Sequence, residues 1–364
     1  MLSLGRFLGV PVFIAPSWLV IAVFFTLVYA PVLSDAVPGL SGSSAYGAAI
    51  GFSLALALCV LAHELGHTAM SIRLGQPVRR VVIFVMGGVS EVEGQLNRPR
   101  DELLVAAAGP FVSIVITGLA LAGYVSTTHS TLVGALLMLL FWTNLALTVF
   151  NLLPGLPLDG GRLLRAALNA MGVSSRTSTS IAAWTGRVVA VLVLVLGVSI
   201  RDPQWGTTSA IFSAALAFYL WVGAGRAERI TALLDRIPTL RVADLLRPGL
   251  FISDDTSVAE ALSRAWSGSA RGLVTVDSQG HPIGIVDEAR IGAVPLERRP
   301  WTRVAEVARP IEIGLVLPVE LEGQALVEAI RATPSREYFV VNSDGSPAGI
   351  LSSADLAAAL QSPA

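Results

Sequence analysis

The sequence has little of what a soluble globular protein usually contains. Only 14% of its 364 residues are charged, and all 25 basic residues are arginine, because no lysine occurs. The single cysteine, Cys59, excludes an intrachain disulfide and a CxxC site. The formal net charge of −1 argues against a nucleic-acid partner.

Hydrophobic residues are abundant instead, at 53% of the chain, and the mean hydropathy is +0.68. Six runs with few or no charges are each long enough to cross a bilayer as a helix. They cover residues 7–34, 46–74, 103–128, 131–149, 178–200 and 206–225. Arginine, aspartate and glutamate become frequent only after residue 225. We therefore predict a polytopic α-helical membrane domain over 1–225, a linker over 226–240 and a second domain after it.

The region after residue 240 contains an internal repeat. RVADLL at 241–246 and WTRVAEV at 301–307 open the two copies. Each copy continues with a helical pattern and then a strand–turn–strand pattern, at 272–286 and 338–351. Repeats of this size predict two small α/β modules packed together, here 241–300 and 301–364.

The distribution of arginine predicts the orientation in the membrane. Clusters of arginine follow the second, fourth and sixth spans, whereas the loops at 35–43 and 129–130 contain none. Arg201 is alone after the fifth span. By the positive-inside rule, both termini and the second domain are expected in the cytoplasm.

The most informative stretch is CVLAHELGHTAM, residues 59–70, near the end of the second span. On a helix, His63 and His67 share one face, one turn apart. Two imidazoles placed in this way can bind one zinc ion, with Glu64 as general base on a nearby water. The alternative is an amphipathic helix with two chance histidines. However, a carboxylate and two imidazoles at membrane depth are costly without a function.

Residues 81–93 predict a β-hairpin rather than a helix. An apolar β-branched run at 81–86 precedes Gly87-Gly88, which predict the turn, and residues 89–93 alternate between apolar and polar. An open strand edge cannot face lipid, so we expect this hairpin beside the metal site in a wet or protein-lined cleft.

The fourth span ends in NLLPGLPLDGGR, residues 151–162. Pro154 and Pro157 break the helix, and irregular backbone at membrane depth must line a cavity. We expect Gly160-Gly161 to free the backbone after Asp159. From these residues alone, Asp159 is either a turn residue or a functional carboxylate. Asn151 is either catalytic or bonded to the backbone of the broken helix.

HELGH at 63–67 and Asn151 followed by LPLDGG at 156–161, in this order on separate spans, resemble the site-2 protease family of intramembrane zinc metalloproteases. The resemblance implies that His63, His67 and Asp159 bind one zinc ion per chain. It also implies that Glu64 is the general base and that Asn151 positions the substrate or the oxyanion. The hairpin is similar to the family's re-entrant hairpin that holds a membrane-anchored protein substrate. The residues expected there are Val85, Met86, Gly87, Gly88 and Val89.

The second domain resembles the CBS pair that some bacterial members of this family carry. Such modules hold an adenine nucleotide with a Gly-hydrophobic-x-Ser/Thr-x-x-Asp stretch, which implies contacts from Ser352 and Asp355 in the second copy. The first copy has Arg290 where the aspartate would be. The alternative is a pair that serves only for homodimerisation or docking.

Two other functions stay open at this point. CBS pairs also occur on channels and transporters, although that function leaves the HELGH spacing unexplained. A zinc-binding scaffold without catalysis would have no use for Glu64. The predicted function is therefore zinc-dependent hydrolysis of membrane-anchored proteins within the lipid bilayer.

Overall fold

The computed structural model describes residues 1–85, 87–92, 98–200, 206–267, 272–286 and 288–361. The chain divides into two compact units, Met1–Thr231 and Ala232–Ala364. The first unit is built mainly from long helices, and the second from short strands and helices.

Among the described residues, six long helices are apolar enough to cross a membrane, which confirms the predicted number of spans. They are α1 (Trp18–Ala36), α2 (Ser43–Arg73), α3 (Pro99–Val125), α4 (Leu132–Asn151), α6 (Ser175–Ser199) and α7 (Gly206–Leu234). The shorter α5 (Asp159–Ala170) lies between α4 and α6. Large apolar side chains are exposed on the outer faces of the long helices, for example Leu119 at 68%. A lipid-facing surface requires this exposure, because lipid rather than protein covers it.

Local chemistry explains where several helices begin. Pro99 occupies the first turn of α3, with Asp101 and Glu102 beside it, and acidic residues there stabilise the helix dipole. Thr131 caps α4 by accepting a hydrogen bond from the Gly134 backbone at 3.2 Å. Ser174 caps α6 in the same way, accepting from Thr177 N at 3.2 Å.

The first span is shorter than predicted. The sequence predicts a helix over 7–34, but the helix begins at Trp18, and the preceding residues form β1 (Leu2–Phe7) and β2 (Val10–Ile14). These strands pair antiparallel around Gly9, whose φ of 81° favours glycine. Hydropathy cannot separate an uncharged strand from an uncharged helix, which is why the boundary was wrong.

The predicted hairpin is present, but its turn is displaced. β3 (Val78–Phe84) pairs antiparallel with β4 (Gly87–Val92), and Gly87 and Gly88 lie opposite Phe84 and Ile83. The two glycines therefore belong to β4 and not to the turn. Met86 and the predicted strand end at Glu93 lie outside the described residues.

The two N-terminal strands extend this hairpin into a four-stranded sheet. The strand order is β1-β2-β3-β4, with β2 parallel to β3. Apolar side chains of the sheet, including Val12, Val81 and Ile83, pack against Leu61 of α2. Because β3 is paired on both sides, β4 is the hairpin strand with an unpaired edge among the residues described here.

The segment after α4 differs from the prediction of a flexible backbone. Asp159 begins α5, and both following glycines lie in its first turn. A Cβ on Gly160 would lie 2.3 Å from the Leu152 carbonyl oxygen, and one on Gly161 would lie 2.2 Å from the Leu156 nitrogen. Glycine is needed here for close backbone packing, which holds the start of α5 against the loop before it.

The predicted linker at 226–240 is also partly helical. Helix α7 continues to Leu234, and one 3-10 turn follows at Ile237–Thr239. The rise in charged residues after residue 225 therefore does not mark the end of the helix.

The second unit repeats one order of elements twice. The first copy contains α8 (Val242–Leu245), β5 (Gly249–Ser253), α9 (Val258–Ser267), β6 (Gly272–Val276), β7 (Pro282–Val286) and α10 (Glu288–Ala293). The second contains α11 (Val304–Val307), β8 (Ala308–Pro310), β9 (Val316–Pro318), α12 (Gly323–Ala332), β10 (Glu337–Val341), β11 (Pro347–Ser352) and α13 (Ser353–Gln361).

In each copy a parallel strand pair is followed by an antiparallel hairpin. β5 lies parallel to β6, which pairs antiparallel with β7. β9 lies parallel to β10, which pairs antiparallel with β11. Strand β8 of the second copy joins the sheet of the first beside β7. Buried residues from both copies, Val274, Ile285, Phe339 and Ile350, form one shared cluster.

Candidate functional site

The three predicted ligands come together where α2 meets the start of α5. His63, His67 and Asp159 are all buried, and their ligand atoms lie within 4.8 Å of one another. The Nε2 atoms of His63 and His67 lie 3.0 and 3.3 Å from the two Asp159 carboxylate oxygens. The two Nε2 atoms are 3.2 Å apart. Two imidazole nitrogens and a carboxylate oxygen so close together match the donor set of a zinc site.

The opposite ring nitrogens have partners on α3. His67 Nδ1 donates to the Val105 carbonyl oxygen at 2.7 Å. A carbonyl only accepts, so Nδ1 carries the proton, and in the neutral imidazole Nε2 presents its lone pair to the cluster. His63 Nδ1 lies 2.9 Å from Ser113 Oγ. Partners of this kind fix the orientation and tautomer of metal-binding histidines.

The backbone of α3 also leaves space for an ion. A Cβ on Gly109 would lie 2.2 Å from His67 Nε2 and 2.7 Å from His63 Nε2. The missing side chain therefore leaves open the volume next to both nitrogen atoms. Three protein ligands and an open fourth position are the arrangement of a catalytic zinc site, so the residues fit the metal.

Glu64 lies next to the cluster, beneath β4. Its side chain is buried, and Ser90 Oγ donates to Glu64 Oε2 at 3.0 Å. A Cβ on Gly88 would lie 2.3 Å from Glu64 Cγ, so β4 touches this side chain closely. The carboxylate is thus held between the histidine helix and the hairpin.

Ion pairing joins the helices that build the site. Arg165 of α5 pairs with Glu102 of α3, whose side chain is 9% exposed. Arg162 Nη1 lies 3.9 Å from Asp159 Oδ1. The Arg165–Glu102 pair connects the helix that starts at Asp159 to the helix that supports both histidine rings.

The other predicted residues of the first unit lie on or beside α4, β3 and β4, and Met86 is outside the described residues. Asn151 ends α4 and is half-buried, and its side chain makes no hydrogen bond among the described residues. Val85 follows β3, while Val89 lies in β4 and is 45% exposed. Asn144 Nδ2 donates to Leu140 O of its own helix at 2.9 Å.

In the second unit, Asp355 is already engaged. Arg247 Nη2 donates to Asp355 Oδ1 at 2.6 Å, and Arg247 Nε bonds to the other carboxylate oxygen. The pair lies in a cleft of about 520 Å³ that Leu246 and Ala358 help to line. Ser352 ends β11 and is buried, and its Oγ accepts from Ala354 N at 3.3 Å. In the first copy, Asp287 lies outside the described residues, and Arg290 lies on α10.

Sequence reasoning missed the residues that support the ligands. Val105 acts through its backbone, so no side-chain pattern reveals it. Gly109 and Ser113 stand four residues apart on the third span, and this small and polar face was the available signal. Ser90 lies two residues after Gly88 and therefore on the same face of β4, which strand alternation alone would have indicated.

Comparisons with known proteins identify relatives of this chain. The model of peptidase family M50 matches residues 51–131 and 120–196. Rip3 of Mycobacterium tuberculosis, whose name describes a zinc metalloprotease, is 30% identical over 372 aligned residues, covering 98% of this chain and 92% of Rip3.

Two solved structures also resemble parts of the chain. The site-2 protease from Methanocaldococcus jannaschii is 26% identical and has a TM-score of 0.44, covering 62% of this chain and 94% of that one. The CBS domain of a bacterial CNNM/CorC family Mg²⁺ transporter is 18% identical and has a TM-score of 0.31, covering 41% of this chain and 93% of that one.

Six membrane-length helices and a buried His-His-Asp cluster beside a glutamate define a multi-pass membrane metalloprotease. The chain belongs to peptidase family M50.

The space at Gly109 gives a direct test of metal binding. In Gly109→Ala, the new methyl group fills the volume in front of both Nε2 atoms, so we expect zinc affinity to fall at least about tenfold. Zinc competition with a chromophoric chelator measures this. The matched control is Gly118→Ala on the same helix, where a Cβ meets nothing within 4 Å. Equal zinc affinity in both variants would contradict a metal in this position.

Proposed function

We propose that this protein is a zinc endopeptidase that cleaves membrane-anchored proteins at bilayer depth, with one zinc held by His63, His67 and Asp159. The observation that carries the proposal is the convergence of these three ligands within 4.8 Å beside the buried Glu64. Membership of a peptidase family supports peptide-bond hydrolysis as the reaction at this cluster. The six apolar helices give the reaction its location.

The roles of the side chains follow from their positions. Zinc, when bound, supplies a Lewis acid and makes a water easier to deprotonate. Glu64 accepts the proton of the attacking water and returns it to the leaving amine. Asn151, at the end of α4, is proposed to orient the substrate or the developing oxyanion.

The substrate is proposed to bind as an extended strand. A helical peptide hides its amide groups in its own hydrogen bonds, so a membrane-spanning substrate must unwind before cleavage. Strand addition at the unpaired edge of β4 would satisfy the unwound backbone and bring it next to Glu64. The substrate contacts proposed here are Val85, Met86, Gly87, Gly88 and Val89. In this proposal the hairpin is re-entrant and opens to water from the cytoplasmic side.

The orientation and domain assignment complete the proposal. Arginines after the second, fourth and sixth spans support cytoplasmic termini. We assign residues 1–225 to the protease domain, 241–300 and 301–364 to two CBS modules, and 226–240 to the connection between them. The CBS pair is proposed to form homodimers and to bind an adenine nucleotide that changes the cleavage rate.

The catalytic roles can be separated by two substitutions. Glu64→Gln keeps the shape of the side chain but cannot accept a proton, so cleavage should fall by about 10²–10⁴-fold while zinc stays bound. Asp159→Ala should lose both zinc and cleavage. Zinc analysis of the purified protein measures the metal content. Quantitative proteomics of membranes measures cleavage, because substrates that are not cleaved accumulate there.

The exposed Glu297→Gln variant is the control for the loss of one carboxylate. Near-normal cleavage by Glu64→Gln would place the base elsewhere. Full zinc occupancy in Asp159→Ala, with activity intact, would remove Asp159 from the site.

Proline substitution in β4 tests strand addition. Successive N–H groups of a strand point to opposite sides, so Val89→Pro and Val92→Pro remove donors from opposite edges of β4. Hydrogen exchange of residues 78–84 identifies which of the two variants keeps the bonds between β3 and β4. In that variant the lost donor lies on the free edge, so we expect a higher KM for a membrane-anchored substrate. If KM is unchanged in that variant, the substrate does not pair with this edge.

The nucleotide proposal predicts a role for Asp355. Adenine nucleotide must displace Arg247 from the Asp355 carboxylate so that the ribose hydroxyls can bond to it. Asp355→Ala should therefore weaken binding of AMP, ADP or ATP by about tenfold, the effect of one bond to a charged group. Calorimetry on the full chain measures this, with exposed Asp344→Ala as control. No heat from any of the three nucleotides in the unmodified chain would favour a pair that only dimerises or docks.

A further inference from the structure

The carboxylate of Glu64 is contacted by a strand as well as by its own helix. Ser90 Oγ lies 3.0 Å from Glu64 Oε2 and 3.3 Å from the Glu64 carbonyl oxygen. Gly88, two residues earlier on the same face of β4, packs against the Glu64 side chain with no room for a Cβ. The hairpin therefore reaches the side chain proposed as general base directly.

A second hydroxyl extends this hydrogen bond. Thr68 Oγ1 lies 3.1 Å from Ser90 Oγ, and Thr68 is fully buried on α2, one turn beyond Glu64. A hydroxyl has one proton to donate and lone pairs to accept with. When Ser90 donates to the ionised carboxylate, which can only accept, Thr68 donates to Ser90. The three side chains then form one directed chain from Thr68 through Ser90 to Glu64.

We propose that Ser90 is a positioning residue for the general base, so that the strand that pairs with the substrate also sets the orientation of Glu64. A glutamate side chain has three rotatable bonds, so its carboxylate can take many orientations. The hydrogen bond from Ser90 restricts that orientation from the side of β4. A substrate strand that adds to β4 stabilises the same strand that holds the base. Substrate pairing and base orientation are thereby coupled through residues 88–90. This inference rests on the proposed function.

The first measurement of this coupling does not depend on turnover. Glu64 is identified in infrared difference spectra of the zinc-loaded full chain as the carboxylate band that disappears in Glu64→Gln. Loss of the Ser90 hydrogen bond in Ser90→Ala should shift that band, and Ser90→Thr, which keeps a hydroxyl, should restore it. The control is Glu91→Gln, which removes the exposed Arg80–Glu91 pair on the same hairpin and leaves Ser90 in place.

The second measurement is kinetic. The probe is a synthetic single-span peptide of about 30 residues, long enough to cross the bilayer, with a fluorophore and a quencher at its ends. For Ser90→Ala we expect kcat to fall about tenfold, the effect of one hydrogen bond to a charged group, while KM and bound zinc stay unchanged. Ser90→Thr should recover most of the rate, and Glu91→Gln should retain it.

Each outcome decides between the alternatives. An unchanged Glu64 band, or an unchanged kcat in Ser90→Ala, overturns the positioning role. A change in KM alone would make Ser90 a substrate contact, and loss of zinc would make it a structural residue; both overturn the proposal. If the band shifts as expected, but the zinc-loaded wild type does not cleave the probe and no uncut substrate accumulates with Glu64→Gln, the proposed function fails while the Ser90–Glu64 contact stands.

Discussion

The structure of the first unit depends on the close approach of three polar side chains inside an apolar helix bundle. His63, His67 and Asp159 are buried with their ligand atoms within 4.8 Å of one another. Polar groups at this depth are costly unless each finds a partner. Helix α3 supplies partners for both histidine rings from Val105 and Ser113, and its Gly109 leaves the front of the nitrogen atoms open.

The same requirement explains the tight packing around the site. Gly160 and Gly161 let the start of α5 lie against the backbone of residues 152–156, which brings Asp159 to the histidines. The Arg165–Glu102 pair then joins α5 to α3. The four-stranded sheet packs on α2, and Ser90 of β4 donates a hydrogen bond to Glu64. The proposed ligands, the proposed base and the strand edge thus lie together, which the proposed hydrolysis of an extended peptide requires.

Local patterns in the sequence predicted a large part of this arrangement. The six spans depend only on hydropathy over about 20 residues, and the histidine pair depends only on the four-residue spacing within one helix. The internal repeat of the second unit follows from its two opening motifs. Asp159 was implied by the family resemblance, because 96 residues separate it from His63.

The parts that were not predicted depend on how elements cross in space. The strands before Trp18 have the composition of a membrane helix, and their pairing with β3 is a long-range contact. The roles of Gly109, Ser113 and Ser90 exist only where α3 and β4 meet α2. The Arg247–Asp355 bond joins residues 108 positions apart and has no local signal. Helix α5 was missed because two glycines favour a loop locally, whereas packing requires them in a helix.

The most direct test of the central claim is zinc K-edge X-ray absorption of the purified full chain. We expect one zinc per chain with only nitrogen and oxygen neighbours at about 2.0–2.2 Å, including two imidazoles. In Asp159→Ala the imidazole signal should weaken together with zinc occupancy. A chain that binds no zinc, or zinc whose imidazole signal persists when His63 and His67 are replaced, would contradict the metal site.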